Sequence, residues 1–174
     1  MLGEELPLER LQLGSRELGL AMSHVLAGRL VYVSGGRGKT PLLRALSLSL
    51  YKAGFSPLYV KLEWVRYGWG ASEYIEGYYE HHLKLTGFPA FRDYDVVLMD
   101  DGELLAYYPN IYANLLRDVG GKVRAVAARA DSLDALERTL GSGVVISLGE
   151  GSGERLKLPL GLTSIGRKVE IEII

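Results

Sequence analysis

The chain has 174 residues, of which 48% are hydrophobic and 24% charged, and this is the length and composition of a single globular domain rather than of a disordered chain. The formal net charge is −1, which excludes a generally basic nucleic-acid-binding domain and restricts any DNA contact to local sites. There is no cysteine, so disulfides, thiolate metal sites and cysteine nucleophiles are excluded, and no apolar run reaches the ~18 residues of a membrane span. We therefore expect one cytoplasmic domain over residues 1–174 that makes no membrane contact.

Amide side chains are scarce in this sequence. Gln12 is the only glutamine, and Asn110 and Asn114 are the only asparagines. Because amide side chains are thermolabile, this usage is typical of proteins from thermophiles. We expect a melting temperature above the mesophile range.

The first half of the chain alternates between strands and helices. After a lead-in segment over residues 1–29, the apolar run 30–34 predicts a buried strand, and a cluster of glycines follows it. The leucines within 41–52 recur at helical spacing and predict a helix. Residues 58–62 predict a second strand, and residues 71–85 predict a second helix.

The alternation continues in the second half. Residues 95–99 predict a buried strand, residues 109–118 a helix and residues 123–128 a further strand. Continuous apolar runs of this kind are typical of parallel strands that are covered on both faces.

The tail is predicted to be a short helix followed by a β-meander. Asp131 or Ser132 can cap a helix that ends at Leu140. Three β-rich segments follow within residues 143–174, namely 143–148, 154–159 and 168–174. Strands that alternate with helices predict an α/β fold with a mostly parallel sheet flanked by helices, and the meander predicts a C-terminal antiparallel β extension.

A glycine-rich loop lies between the first predicted strand and the first predicted helix. It reads SGGRGKT from Ser34 to Thr40, and its position between a strand and a helix is the context that a phosphate-binding loop requires. Glycine N–H groups and the helix N-terminus attract an anion, Lys39 would bind the β- and γ-phosphates, and Thr40 would bind Mg²⁺ through its hydroxyl. The loop residues assigned to nucleotide binding are Gly35, Gly36, Arg37, Gly38, Lys39 and Thr40.

The loop departs from the usual phosphate-binding pattern. That pattern, G-x-x-x-x-G-K-[ST], has a glycine five residues before Gly38, where this chain has Val33. Either the first glycine is absent, or Gly35 takes its place in a loop that is two residues shorter. A loop of this fold that has lost nucleotide binding is a further interpretation.

Carboxylates are predicted at the ends of two strands. The run YDVVLMDD places Asp100 after four apolar residues, which is the Walker B pattern, and α/β sheets bind ligands at this end of their strands. Asp100 would orient Mg²⁺ together with Thr40. Asp101 is assigned to the same nucleotide site but is expected to point to the other side of the strand. Glu63 ends the second strand and could act as general base, although a surface glutamate is the simpler interpretation on the residues alone.

Together these features resemble the RecA superfamily of ATPases, and in particular archaeal RadA paralogues of the RadB-like and KaiC-like kind. The resemblance rests on the lead-in from Leu13 to Leu18, the GKT loop, the Walker B strand and the tail 143–174. It implies ATP and Mg²⁺ as cofactors and gives Glu63 the position of the family's catalytic glutamate. Asp100 takes the position of the Walker B aspartate.

Two features depart from that family. Its polar sensor after the fourth strand is replaced by Ala128 and Arg129, and Arg129 is either a phosphate sensor that binds the nucleotide or a surface residue. The connections that would carry DNA-binding loops look short. The resemblance therefore implies a reduced accessory protein in DNA recombination or repair, with weak or partner-stimulated ATPase activity, rather than a filament-forming recombinase. Its expected partner is a RecA/RadA-family or other repair protein, and any DNA contact is local.

Two other functions remain open on the sequence. A non-catalytic interaction module would keep the fold with the contracted loop empty. A deviant-Walker enzyme of the MinD/ParA or dethiobiotin-synthetase type would share the GGRGKT loop, although Ser34 occupies the position of the MinD/ParA signature lysine. The β-rich tail also fits the RecA superfamily better than this third class.

Aromatic residues are concentrated within residues 64–82. Acidic side chains outnumber basic ones there, which disfavours a track for a phosphate backbone. We expect a protein interface or local packing in preference to stacking with single-stranded nucleic acid. His81 and His82 are adjacent and do not share a helix face, so they make a poor metal site.

Overall fold

The computed structural model describes residues 15–36, 38–66, 71–75, 78–83, 91–148 and 169–173. The helices in these ranges are α1 (Ser15–Leu26), α2 (Lys39–Lys52), α3 (Leu62–Arg66), α4 (Glu103–Tyr107), α5 (Pro109–Val119) and α6 (Leu133–Leu140). The strands are β1 (Leu30–Gly35), β2 (Pro57–Lys61), β3 (Ala71–Ile75), β4 (Tyr78–Leu83), β5 (Val96–Asp100), β6 (Val123–Ala127), β7 (Gly143–Leu148) and β8 (Val169–Ile173). Within the described ranges, no helix has both the length and the apolar character needed to span a bilayer.

The strands form one mixed sheet with the order β4-β3-β2-β5-β6-β1-β7-β8. Strands β2, β5, β6, β1 and β7 run parallel, whereas β3, β4 and β8 pair antiparallel at the two edges. Strand β6 lies between β1 and β5, so the strand before the glycine-rich loop and the strand that ends in Asp100 are not neighbours. The predicted α/β class, with a parallel sheet and a C-terminal antiparallel extension, is confirmed.

Helices cover both faces of the parallel strands because successive residues of a strand point to opposite faces. In β1, Val31 and Val33 pack into one core with residues of α1 and α2, whereas Tyr32 packs into a second core with residues of α5 and α6. All three side chains are fully buried. Every residue of β5 is buried as well, as expected for a continuous apolar run in a parallel sheet.

The helix predicted over residues 71–85 is wrong. Ala71–Ile75 and Tyr78–Leu83 form the antiparallel pair β3 and β4, and β3 pairs with β2. Tyrosine and isoleucine favour strands, and the edge of β2 offers backbone hydrogen bonds that an added strand satisfies. Pairing with the sheet therefore overrides the local helical pattern, and the aromatic segment contributes two strands at one edge of the described sheet.

Most other predicted elements lie within a few residues of their predicted bounds, and α3 and α4 are elements that the sequence pattern does not predict. The predicted capping of α6 is wrong in detail. Ser132 precedes the helix, but its hydroxyl donates to the Arg129 carbonyl oxygen at 2.7 Å and makes no capping hydrogen bond. The predicted strand over 154–159 and the lead-in residues 1–14 lie outside the described residues.

Candidate nucleotide-binding site

The glycine-rich loop leaves the sheet at Gly35, the last residue of β1. Gly35 has a φ of 96° and pairs with Leu148 of β7. A Cβ atom at this position would lie 2.2 Å from the Leu148 carbonyl oxygen, so only glycine permits the close approach of the two backbones. Val33 is a fully buried residue inside the strand. The loop therefore leaves the strand at Gly35, and the interpretation of Gly35 as the first glycine of a shortened phosphate loop stays a prediction.

Lys39 begins α2 and reaches back over the loop. Its Nζ donates hydrogen bonds to the carbonyl oxygens of Gly35 at 2.8 Å and Gly36 at 3.0 Å. The Gly36 N–H donates to the Leu148 carbonyl oxygen at 2.5 Å. The two carbonyls accept from two of the three N–H donors of the ammonium group, so a phosphate would compete with them for Lys39. Arg37 lies outside the described residues.

Asp100 ends β5 and is 3% exposed. Its Oδ2 accepts hydrogen bonds from the hydroxyls of Thr40 and Tyr59, each at 2.5 Å, and its Oδ1 accepts one from the Asp101 N–H at 2.9 Å. A buried carboxylate needs donors of this kind, because burial without them would cost several kcal/mol. The fold thus joins the threonine of the phosphate loop to the aspartate of the Walker B strand across 60 residues of chain.

The chemistry of Thr40 and Asp100 suits the predicted metal. Hydroxyl and carboxylate oxygens are hard ligands, and Mg²⁺ is usually held by one or two such protein groups together with substrate phosphates and water. The two oxygens are already in contact. These residues therefore fit a Mg²⁺ ion that arrives with a nucleotide.

Lys61, the last residue of β2, lies beside both aspartates. Its Nζ is 3.1 Å from Asp101 Oδ2 and 3.8 Å from Asp100 Oδ2. Burial acts to lower the pKa of Lys61, but the two carboxylates, with a smaller contribution from Glu63, raise it above its ordinary value. Burial and then the charge of Asp100 raise the pKa of Asp101, although Lys61 opposes both effects.

The expectation that Asp101 points away from the Asp100 side is wrong, because Lys61 contacts both carboxylates. Strand β5 ends at Asp100, and Asp101 has a φ of 57°. The strict alternation of strand side chains therefore does not extend to Asp101. The two carboxylates share one ammonium group.

Sequence reasoning missed Tyr59 and Lys61. Both lie on β2, which pairs with β5 in the register Tyr59↔Leu98 and Lys61↔Asp100. Residues two apart on a strand face the same side of the sheet, so both can meet the carboxylate that ends β5. The only signal in the sequence is that one apolar strand ends in a basic residue and another ends in an acidic one.

Glu63 and Arg129 follow the ends of β2 and β6. Strand β2 ends at Lys61, so the prediction that Glu63 ends it is wrong, and Glu63 lies exposed in the first turn of α3. The Arg129 side chain is 63% exposed, and its guanidinium is 3.1 Å from Asp131. Arg129 is therefore a surface residue in an exposed ion pair, and its role as a phosphate sensor stays a prediction.

Two solved structures share the fold. A DNA replication initiation factor matches with a TM-score of 0.55 and 16% identity, covering 84% of this chain and 50% of its own. AMPPCP-bound DnaA from Aquifex aeolicus matches with a TM-score of 0.52 and 18% identity, covering 87% of this chain and 52% of its own. The chain thus spans about half the length of each structure. No protein-family model and no curated protein matches the sequence.

At these identities the likeness shows the fold alone. The chain has an α/β fold with a five-stranded parallel sheet flanked by helices, similar to the fold of P-loop proteins. The likeness to DnaA does not distinguish a RadA paralogue from other proteins of this fold.

Proposed function

We propose that the protein is an ATP-binding accessory protein of the RadA-paralogue kind that acts in DNA recombination or repair, with weak or partner-stimulated ATPase activity. The contact between Thr40 and Asp100 carries the proposal, because it brings together the two motifs that are predicted to bind nucleotide and metal. The likeness in fold to a DNA replication initiation factor and to AMPPCP-bound DnaA supports nucleotide binding and a role in DNA metabolism. The antiparallel strand β8 at the C-terminal edge favours the RecA-like interpretation over the deviant-Walker enzyme.

The site residues have separate roles in the proposed binding and hydrolysis of ATP. Lys39 would leave the carbonyls of Gly35 and Gly36 and donate charge-assisted hydrogen bonds to phosphate oxygens. Thr40 and Asp100 would hold Mg²⁺, which when bound supplies charge stabilisation for the transferred phosphoryl group. Glu63, exposed beyond the end of β2, is the proposed general base for the attacking water.

Calorimetric titration with ATP and Mg²⁺ tests the proposal on the wild type and on Lys39→Ala. Hydrogen bonds to charged groups contribute about 1.5–3 kcal/mol each, so the variant should bind at least about tenfold more weakly. Lys52→Ala is the matched control, since it removes a lysine from the last turn of the same helix. Equal affinity in Lys39→Ala and Lys52→Ala would show that Lys39 does not bind the nucleotide.

A non-catalytic interaction module is the second candidate function. It is favoured by the contacts of Lys39 within its own loop and by the use of the Gly36 N–H in the bond to Leu148, because both occupy groups that a phosphate would need. Wild-type protein that binds no ATP at millimolar concentration would support this candidate. The proposed surface for a protein partner is then the antiparallel pair β3 and β4, which contains Tyr74, Tyr78 and Tyr79 of the aromatic segment.

A further inference from the structure

A lysine lies beside the carboxylate that would bind a divalent cation. Lys61 and Asp100 are register partners on adjacent parallel strands, so the backbone places one beside the other. The Lys61 side chain is 22% exposed and that of Asp100 is 5% exposed. Solvent and salt screen charges in such a position much less than charges on the surface.

Three groups converge on the same oxygen of Asp100. The hydroxyls of Thr40 and Tyr59 donate to Oδ2, and the Lys61 ammonium lies 3.8 Å from it. The ammonium is also held by Asp101, at 3.1 Å, and lies 6.0 Å from the centre of the Trp64 ring. A divalent cation at this oxygen would have to disturb the hydroxyl contacts and would lie close to the Lys61 ammonium, whose charge is shared between Asp100 and Asp101.

We propose that Lys61 is a built-in cation that competes with a divalent metal for Asp100. Two consequences follow. Without nucleotide, the site binds divalent cations weakly because Lys61 repels them. With nucleotide, Mg²⁺ must bind at Asp100 against the charge of Lys61, so Mg²⁺ adds less to ATP affinity in the wild type than in a variant without this charge. The second consequence rests on the proposed function, and the first does not.

Electron paramagnetic resonance of free Mn²⁺ tests the first consequence on the full chain without nucleotide. Removal of the like charge in Lys61→Met should tighten Mn²⁺ binding at least about tenfold relative to the wild type. Lys52→Met removes an exposed lysine away from the site and should match the wild type. Equal or weaker Mn²⁺ binding in Lys61→Met would overturn the proposal.

A second variant keeps the test decisive if Lys61→Met does not fold. Lys61→Gln also removes the charge, but its amide can still donate a hydrogen bond to Asp101, so Asp101 keeps a side-chain partner. Circular dichroism establishes which variant is folded, and the same tightening of Mn²⁺ binding is expected in Lys61→Gln. Wild-type Mn²⁺ affinity in a folded Lys61→Gln protein would overturn the proposal equally.

Titration with ATP in Mg²⁺ and in EDTA tests the second consequence. Removal of Mg²⁺ by EDTA should weaken ATP binding in both proteins. The fold loss of ATP affinity should be at least about threefold smaller in the wild type than in Lys61→Met. An equal or larger loss in the wild type would overturn the proposal and leave the proposed function standing. If the wild type binds ATP in neither buffer, the proposed function fails, and the Mn²⁺ measurement still decides the role of Lys61.

Discussion

Replacement of Gly35 by alanine isolates the close approach between the phosphate loop and β7. Gly35 has a φ of 96° and Gly54 a φ of 97°, so alanine meets the same left-handed backbone at both positions, at a cost of about 1–2 kcal/mol. The two positions differ in space. A Cβ at Gly35 would lie 2.2 Å from the carbonyl oxygen and 2.7 Å from the nitrogen of Leu148, whereas nothing lies within 4 Å of a Cβ at Gly54.

The contacts at Gly35 are with backbone atoms, so no change of side-chain rotamer relieves them. Overpacking of this kind adds about 1–3 kcal/mol. Gly35→Ala should therefore destabilise the protein by about 2–5 kcal/mol and Gly54→Ala by about 1–2 kcal/mol.

Urea unfolding followed by tryptophan fluorescence measures both free energies of unfolding, by linear extrapolation. Equal losses in the two variants would refute the reasoning, since they would mean that β7 moves away from the loop without cost. Gly35→Ala should also weaken ATP binding, because the displaced segment is the start of the phosphate loop, whereas Gly54→Ala should bind ATP like the wild type.

Tyr59→Phe removes a hydrogen bond to the buried Walker B carboxylate and should cost about 1.5–3 kcal/mol, whereas Tyr112→Phe removes one to a neutral backbone carbonyl and should cost about 0.5–1.5 kcal/mol. Urea unfolding checks this order, and the reverse order would contradict the assigned contacts. Glu63→Gln should abolish phosphate release from ATP and leave the calorimetric affinity unchanged, and loss of both would refute its role as general base. Burial and then the Arg29 guanidinium lower the pKa of His24 below its ordinary 6.5, so below that pH the unfolded chain binds a proton that the folded chain does not. Unfolding free energy should therefore fall as pH falls from 6.5 towards the folded-state pKa of His24, and a fall just as steep in His24→Gln would exclude this histidine as the cause.

Local patterns predicted the part of the site that is contiguous in sequence. A buried strand, a glycine turn and a helix that begins with Lys39 and Thr40 form one unit, and each piece is specified by its neighbours in the chain. The strand over 143–148 has its predicted bounds for the same reason, since a run of β-branched residues between glycines favours a strand wherever it packs.

Local patterns failed where pairing decided the structure. Residues 71–85 are predicted to be helical from the local pattern, yet Ala71–Ile75 and Tyr78–Leu83 form β3 and β4 because the edge of β2 is available to them. That edge is not visible in the segment's own residues. Propensity is a weak prior, and hydrogen bonds to a strand distant in sequence outweigh it.

The sequence by itself determined the fold class, the glycine-rich turn between β1 and α2 and the aspartate at the end of β5, because these depend on residues close together in the chain. Only the tertiary structure decided what surrounds that aspartate. Tyr59 and Lys61 reach Asp100 through the register of β2 on β5, and Thr40 reaches it across 60 residues of chain. Register and sheet order arise from packing of the whole domain. The position of the Lys61 ammonium beside Asp100 therefore cannot be predicted from the sequence of β2 or of β5 alone.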